Sequence, residues 1–414
     1  MKKVNQTLEE SSNTGVGYYQ DSVSWKINTA LRVLNLSHNE LQGDIPTSLG
    51  NLPSIESLDL SSNHLEGKIP ELLMSLTFLE FLNLSYNQLQ GCIPTGRQFA
   101  TFEKDSYTVT FASGEEATAL LKWKATFKNQ NNSLLASWQP GSDACNDWYG
   151  VSCINGRVNT LSITNASVFG TLYAFPFSSL PFLEYLHLTM NNLSGTIPPE
   201  IGNLTNLVCL ELHINQISGT IPSQIGSLVK LQILRIFGNH LNGPIPGEIG
   251  YLRSLTSLSL GGNFLNGSIP ASLGNLNSLS YLLLYDNQLS GPIPSVLGNL
   301  KNLNDLVLRN NQLSGPIPSV LGNLKNINYV QLSSNQLSGP IPSVLRNLKN
   351  LKGLVLSYNQ LTGSIPSSFG NLRNMQTLFL GNNNLIEEIP SCFCNLTSLK
   401  ILHLFRNNLK GKIP

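Results

Sequence analysis

The feature that most constrains this chain is one line of text written again and again, every 24 residues, across residues 180–414. It reads L-x-x-L-x-L-x-x-N-x-L-x-G-x-I-P, first as Leu183, Leu186, Leu188, Asn191, Leu193, Gly195, Ile197 and Pro198. Steps of 24 from Asn191 land on Asn215, Asn239, Asn263, Asn287, Asn311, Asn335, Asn359, Asn383 and Asn407. A fixed period of this length means a solenoid, in which each coil buries its apolar side against its neighbours. The usual ceiling on the size of a single core does not apply to such a stack, so length alone does not count domains.

The spacing inside one line has a physical reading. Leucines two apart point to the same face of a short strand, and the residue between them points the other way. The Asn that follows donates and accepts at once, which suits a buried corner where backbone groups of successive coils need partners. A continuous Asn ladder is therefore expected. Gly permits the bend and Pro fixes the direction of the far limb. The expected product is a parallel sheet on the concave face, with strands roughly 4.8 Å apart, and short 3-10 or second-strand segments on the convex side.

These residues resemble the plant extracellular type of leucine-rich repeat, whose mark is the L-x-G-x-I-P tail. Thirteen Ile-Pro pairs keep the phase, three within residues 45–94 and ten within 197–414. One departure is Glu387, which stands where the pattern has Gly and predicts a different bend in that coil.

Read in order, the chain has six parts. Residues 1–27 are polar and aperiodic, and Tyr18-Tyr19-Gln20-Asp21-Ser22-Val23 resembles the end of the non-repeat island of plant receptor-like proteins. Residues 28–99 make three coils with Asn39, Asn63 and Asn87 as their ladder, about the minimum number for stability. Their last line, Gly91-Cys92-Ile93-Pro94, and the linker at 100–112 are similar to the exit of the Cf-type receptor-like proteins of the tomato family. Residues 113–154 resemble an internal N-terminal cap: a short helix carrying Leu120, Leu121 and Trp123, then Trp138 and the run from Cys145 to Cys153. That resemblance implies a Cys145–Cys153 disulfide. Residues 155–179 form a degenerate coil with Ala166 where Asn belongs, and residues 180–414 hold ten coils, the last cut short. A tail thus precedes a head. The expectation is a joining of two tandem copies from the Solanaceae elicitor-responsive group, without the first copy's membrane anchor or the second's signal peptide.

Composition narrows the function. The net charge is +1, only 12% of residues are charged, and the text shows no basic stripe, which argues against nucleic acid as a partner. Nine N-x-S/T sequons, at Asn5, Asn35, Asn83, Asn131, Asn165, Asn192, Asn203, Asn266 and Asn395, favour a secreted glycoprotein. The opening Met-Lys-Lys-Val-Asn-Gln has no apolar core of a signal peptide, and no run of 18 apolar residues spans a membrane. The spacing leaves the pairing of Cys92, Cys209, Cys392 and Cys394 open, with Cys209 placed as a half-exposed strand residue.

Function is expected on the concave face. Residues 287–302, 311–326 and 335–350 are the same text except for Gly298, Gly322 and Arg346, while the outward strand positions between them vary freely. Scaffold repeats and face changes, the signature of a recognition surface. Tyr185, Arg235, Phe237, Tyr281, Tyr285, Asp286, Asp305, Arg309, Tyr329, Tyr358, Phe379 and Phe405 collect there, and aromatics with Arg are the usual anchors of protein interfaces. β-propensity accounts for part of the aromatic content. His187, Glu211 and His213 fall on neighbouring strands, where a polar surface explains them without a metal. No phosphate loop, nucleophile elbow or metal-spaced cluster is present, so no catalysis and no cofactor are expected.

The resemblance implies a receptor-like protein of plant defence at the outer face of the plasma membrane, reading a protein or peptide ligand and working through a partner receptor kinase. The alternatives are a soluble inhibitor resembling the polygalacturonase inhibitors, or a non-functional fragment of a tandem receptor locus.

Overall fold

The computed structural model describes residues 31–84 apart from 68, residues 87 and 89, 114–154 apart from 130–132, and 156–413. The island-like segment and the linker lie outside the described residues, as do Cys92, Asn5 and Asn131.

Each 24-residue line folds into a strand, a corner, a second strand and a five-residue 3-10 turn. The coil around Asn263 shows the order: Ser257–Ser259, then Phe264–Ser268, then Ala271–Asn275. Strands that occupy the same place in successive coils pair in parallel, the first strands residue with residue 24 on, as Leu258 does with Leu282, and the second strands with residue 22 on, as Asn266 does with Gln288. The concave sheet has 12 strands, from Val151–Ile154 of the cap to Ile401–His403, and a second sheet of 11 runs from Phe169–Thr171 to Asn408–Leu409. The inward Leu and Ile of both sheets and the turns form one continuous core with the cap.

The expected Asn ladder is the seam of this stack. Asn263 accepts the Leu241 amide at 3.0 Å and donates to the carbonyls of Ile236 at 3.1 Å and Leu260 at 3.0 Å. The pattern recurs in every coil through Asn407, and Asn63 and Asn87 repeat it in the leading array. At Ala166, where the ladder residue is missing, Asn191 of the next coil bonds the amides of Ala166 and Val168, each at 3.1 Å.

The Glu387 coil does not bend differently. Glu387 takes φ +69°, the left-handed conformation that Gly363 adopts at +75° in the coil before it. Register with the next coil is kept, and the strain of a side chain at positive φ falls on that one residue. Gly298 has another reason to be Gly: a Cβ there would come within 2.6 Å of the Val320 carbonyl oxygen of the following coil.

The cap follows the expectation. The helix spans Gly114–Lys124, and Trp123 is buried with its indole N–H on the Thr171 carbonyl at 3.0 Å. Trp138 stacks on Trp148 at 5.0 Å, and Cys145 is bonded to Cys153. Buried Glu116 accepts from the Val158 amide at 2.8 Å and from Arg157 Nε at 2.9 Å, fastening the helix to the first strands of the concave sheet. The leading sheet is smaller, three parallel strands over a separate core, with Val33, Phe78 and Phe81 exposed. Fewer neighbours mean weaker coils, so amides of Leu34, Leu58 and Leu82 should exchange about tenfold or more faster than those of Leu258, Leu282 and Leu306. Equal protection by mass-resolved hydrogen exchange would count against two arrays of unequal stability.

Candidate functional site on the concave face

Because each concave strand shows only its alternate residues to the outside, and because register is locked, outward side chains line up in rows across the coils. Tyr281, Asp305 and Tyr329 are register partners in one row, and His187, Glu211 and Arg235 are partners in the next. The face divides into two halves of different character.

The half nearer the cap is closed. Arg235 Nη1 donates to Glu211 Oε1 at 3.0 Å, and its Nη2 donates to Glu71 Oε1 at 2.9 Å, so the leading array reaches onto this face. His187 Nδ1 lies 3.1 Å from Glu211 Oε2. His187, Glu211, His213, Arg235, Ser257 and Ser259 are all buried despite their outward positions. Burial pushes the Glu211 carboxyl up, but the bond and charge of His187, with Arg235 and His213, outweigh it and hold it at about 2. Burial takes His213 down to about 4, and its ring stacks on Phe237 at 4.4 Å. The side-chain atoms of His187, Cys209 and Glu211 lie within 4.8 Å of one another. The donor set does not suit a metal, because Cys209 is held in a disulfide and Glu211 is committed to Arg235. Cys209 is fully buried, not half-exposed as the strand position suggested, whereas Cys392 and Cys394 are free thiols.

The half further along is open. Arg309 lies over the Tyr285 ring at 4.8 Å and pairs with Asp286 at 3.1 Å. Asn310 also donates to Asp286. His403 stacks on Phe379 at 4.2 Å with Phe405 edge-on to it, and Tyr329 and Tyr358 are 38% and 53% exposed. Leu283, Val307, Gln331 and Val355 follow one another in one row, a largely apolar strip between the aromatic groups. Asp305 stands differently, with no ion pair among the described residues. Partial burial raises its carboxyl to about 6, against the opposing charge of Lys352.

That shift sets a pH dependence. With the folded value above the unfolded one, the native state holds this proton between about 4 and 6, and stability falls as pH rises through that window. Asp305→Asn should therefore raise the denaturation midpoint relative to the parent at about pH 8 and leave it unchanged near pH 4. An identical shift at both pH values would show that the charge carries no cost.

The expected site residues thus separate. Tyr285, Asp286 and Arg309 meet directly, and so do Phe379 and Phe405 through His403, while Tyr185, Arg235 and Phe237 belong to the closed half. No local signal marks Glu71, since its contact joins residues 164 apart in sequence. The described sequon residues are all reachable: Asn35, Asn165, Asn203, Asn266 and Asn395 are exposed, Asn83 and Asn192 half-buried. The text shows no basic stripe, but folding builds one, with Lys301, Lys325, Lys349 and Arg373 at one position of four successive coils.

Family models agree with this anatomy. Leucine-rich-repeat models match residues 29–89, 330–385 and 349–409, and five further stretches from 182–204 to 302–324; a leucine-rich-repeat N-terminal domain matches 113–154. MDIS1-interacting receptor like kinase 2 of Arabidopsis thaliana is 50% identical over 99 residues, 23% of this chain and 10% of the kinase. Polygalacturonase inhibitor 1 of the same plant is 35% identical over 112 residues, 26% of this chain and 33% of the inhibitor. The crystal structure of the Arabidopsis receptor kinase HAESA in complex with the peptide hormone IDA and the co-receptor SERK1 aligns with a TM-score of 0.54 at 30% identity, over 92% of this chain and 51% of that one. The chain therefore spans about half of that ectodomain and a small part of the kinase relative. No helix among the described residues is long and apolar enough to cross a membrane. Repeats and N-terminal domain together make this chain a member of the leucine-rich-repeat family, similar in sequence to plant leucine-rich-repeat receptor-like kinases.

Proposed function

We propose that the chain is a non-catalytic recognition module that binds a peptide or protein segment along the open half of its concave face, from Tyr281 to Phe405. The observation that carries this reading is the division of the face. Charged groups near the cap are already paired and buried, while further along aromatic rings, an apolar strip and the uncompensated Asp305 stay accessible. Exposed aromatics around a desolvatable strip are what an extended peptide needs for anchoring. HAESA, whose structure holds a peptide hormone and a co-receptor, supports the reading by likeness.

Within the same proposal the module works outside the cell, carries glycans at its exposed sequons, and signals through a partner receptor kinase in plant defence. A Cf-type, Solanaceae origin and the joining of a tail to a head belong to it as well. They rest on the motif resemblance and on the order of the two arrays and the cap. The test is to pan a random peptide library against the full chain and measure the selected peptides on Tyr329→Ala/Phe379→Ala and on Tyr251→Ala, whose ring lies on a 3-10 turn away from the face. The face variant should lose at least about tenfold in affinity and the turn variant almost none; the reverse result sinks the proposal.

The polygalacturonase inhibitor relative favours a second reading, a soluble inhibitor of cell-wall-degrading enzymes. It is tested separately, by adding the chain to fungal polygalacturonase and following release of reducing ends.

A further inference from the structure

The net charge of +1 conceals an uneven distribution. Residues 287–386 contain seven basic residues and a single acid, Asp305. Four of the seven, Lys301, Lys325, Lys349 and Arg373, occupy the same place in consecutive coils, just after the 3-10 turn and before the concave strand. All four are exposed, and none has an ion pair among the described residues. Lys301 alone makes a bond of its own, to the Gly298 carbonyl at 2.9 Å.

The backbone beneath this column is fixed coil to coil. Asn326 donates to the Lys301 carbonyl at 3.0 Å, Asn350 to that of Lys325 at 3.0 Å, and Asn374 to that of Lys349 at 2.8 Å. The concave strands that follow are in parallel register. Each cation therefore repeats at close to the strand spacing, roughly 5 Å, on a frame that does not need to be ordered on binding.

We propose that this column is a binding site for a linear acidic polysaccharide with one carboxylate on each sugar, separate from the concave face and independent of what that face binds. Charge spacing and the neighbours of the cations together decide among polyanions. Along a nucleic-acid duplex each strand presents a phosphate about every 3.4 Å of axis, denser than the column, and binding of a single strand draws on aromatic platforms. No aromatic residue interrupts the column: Asn302, Asn326, Asn350 and Asn374 are its immediate neighbours. A uronate chain is a match in both respects, because its charges are set one sugar apart and amide side chains suit its hydroxyls. Arg346, in the turn just ahead of Lys349, adds a further cation on the same ridge.

Polygalacturonate, its methyl ester and poly(dT) serve as probes for the full chain. The parent should bind polygalacturonate at low salt, lose it as salt rises, and ignore the ester. Lys301→Gln, Lys325→Gln, Lys349→Gln and Arg373→Gln together should weaken binding about tenfold or more. A control that removes the same charge elsewhere, Lys128→Gln, Lys230→Gln, Lys410→Gln and Lys412→Gln, should stay within about twofold. All eight sites are on the surface, and matching circular dichroism melts confirm that both variants fold. Equal loss in the two variants, absence of binding by the parent, or tighter binding of poly(dT) than of polygalacturonate would each overturn the proposal.

Discussion

Asn263→Asp should cost about 4 kcal/mol of stability, the largest effect expected from any isosteric change in the long array. The Asn263 amide donates to the carbonyls of Ile236, Leu260 and Gly261 at 3.1, 3.0 and 3.2 Å, and its oxygen accepts the Leu241 amide at 3.0 Å. An Asp of the same shape keeps the acceptor and turns an oxygen toward three carbonyls. Ionised, it sets a charge against them and gives none of the three a donor; protonated, it keeps one O–H and can serve one of them. Asn263→Ala takes the acceptor from the buried Leu241 amide, while the carbonyls of Ile236, Leu260 and Gly261 keep Asn239, Asn287 and the Gly238 amide, and should cost about 2 kcal/mol. Denaturant unfolding reads both, and a loss under about 1 kcal/mol for either would mean that the ladder does not hold the coils together.

Glu211→Ala should cost about 3 kcal/mol, because it takes one carboxylate from Arg235, which keeps Glu71, and takes away the carboxylate beside His187, on a face where neither meets solvent freely. Removing Arg235 as well should recover part of that loss, since the charge then left without its partner is Glu71, which is partly solvated. The signs of the pH effects follow from the two depressed values. Glu211 contributes stability above the ordinary carboxylate range and loses it only as pH falls toward about 2. His213 acts earlier: between about 6.5 and 4 the unfolded chain takes a proton that the buried imidazole refuses, so stability falls as pH drops through that window. Glu71→Ala should change stability by less than Glu211→Ala, because Glu71 is partly solvated and Arg235 keeps Glu211.

Much of the fold is legible because a solenoid makes distant contacts local. Leu186, Leu210 and Leu234 neighbour one another for the same reason that they recur in the text, so the inward residues, the Asn seam and the cap are readable without coordinates. The bend at Glu387 is misread because the backbone of neighbouring coils, not the residue type, fixes φ there. The closed half of the face was illegible for a different reason. It depends on Glu71 reaching Arg235 from another array, and no period relates the two. The basic column is hidden by the opposite effect, since lysines 24 residues apart look isolated until the coils stack.

The proposed recognition of a ligand on the open half of the concave face is tested most directly by hydroxyl-radical footprinting of the side chains. With a library-selected peptide bound, oxidation of Tyr329, Tyr358 and Phe405 should fall severalfold, while Tyr173, Tyr251 and Phe264, exposed elsewhere, react as in the free chain. Protection of Tyr251 or Phe264 with unchanged reactivity at Tyr329 and Phe405 would place recognition off the concave face and contradict the account.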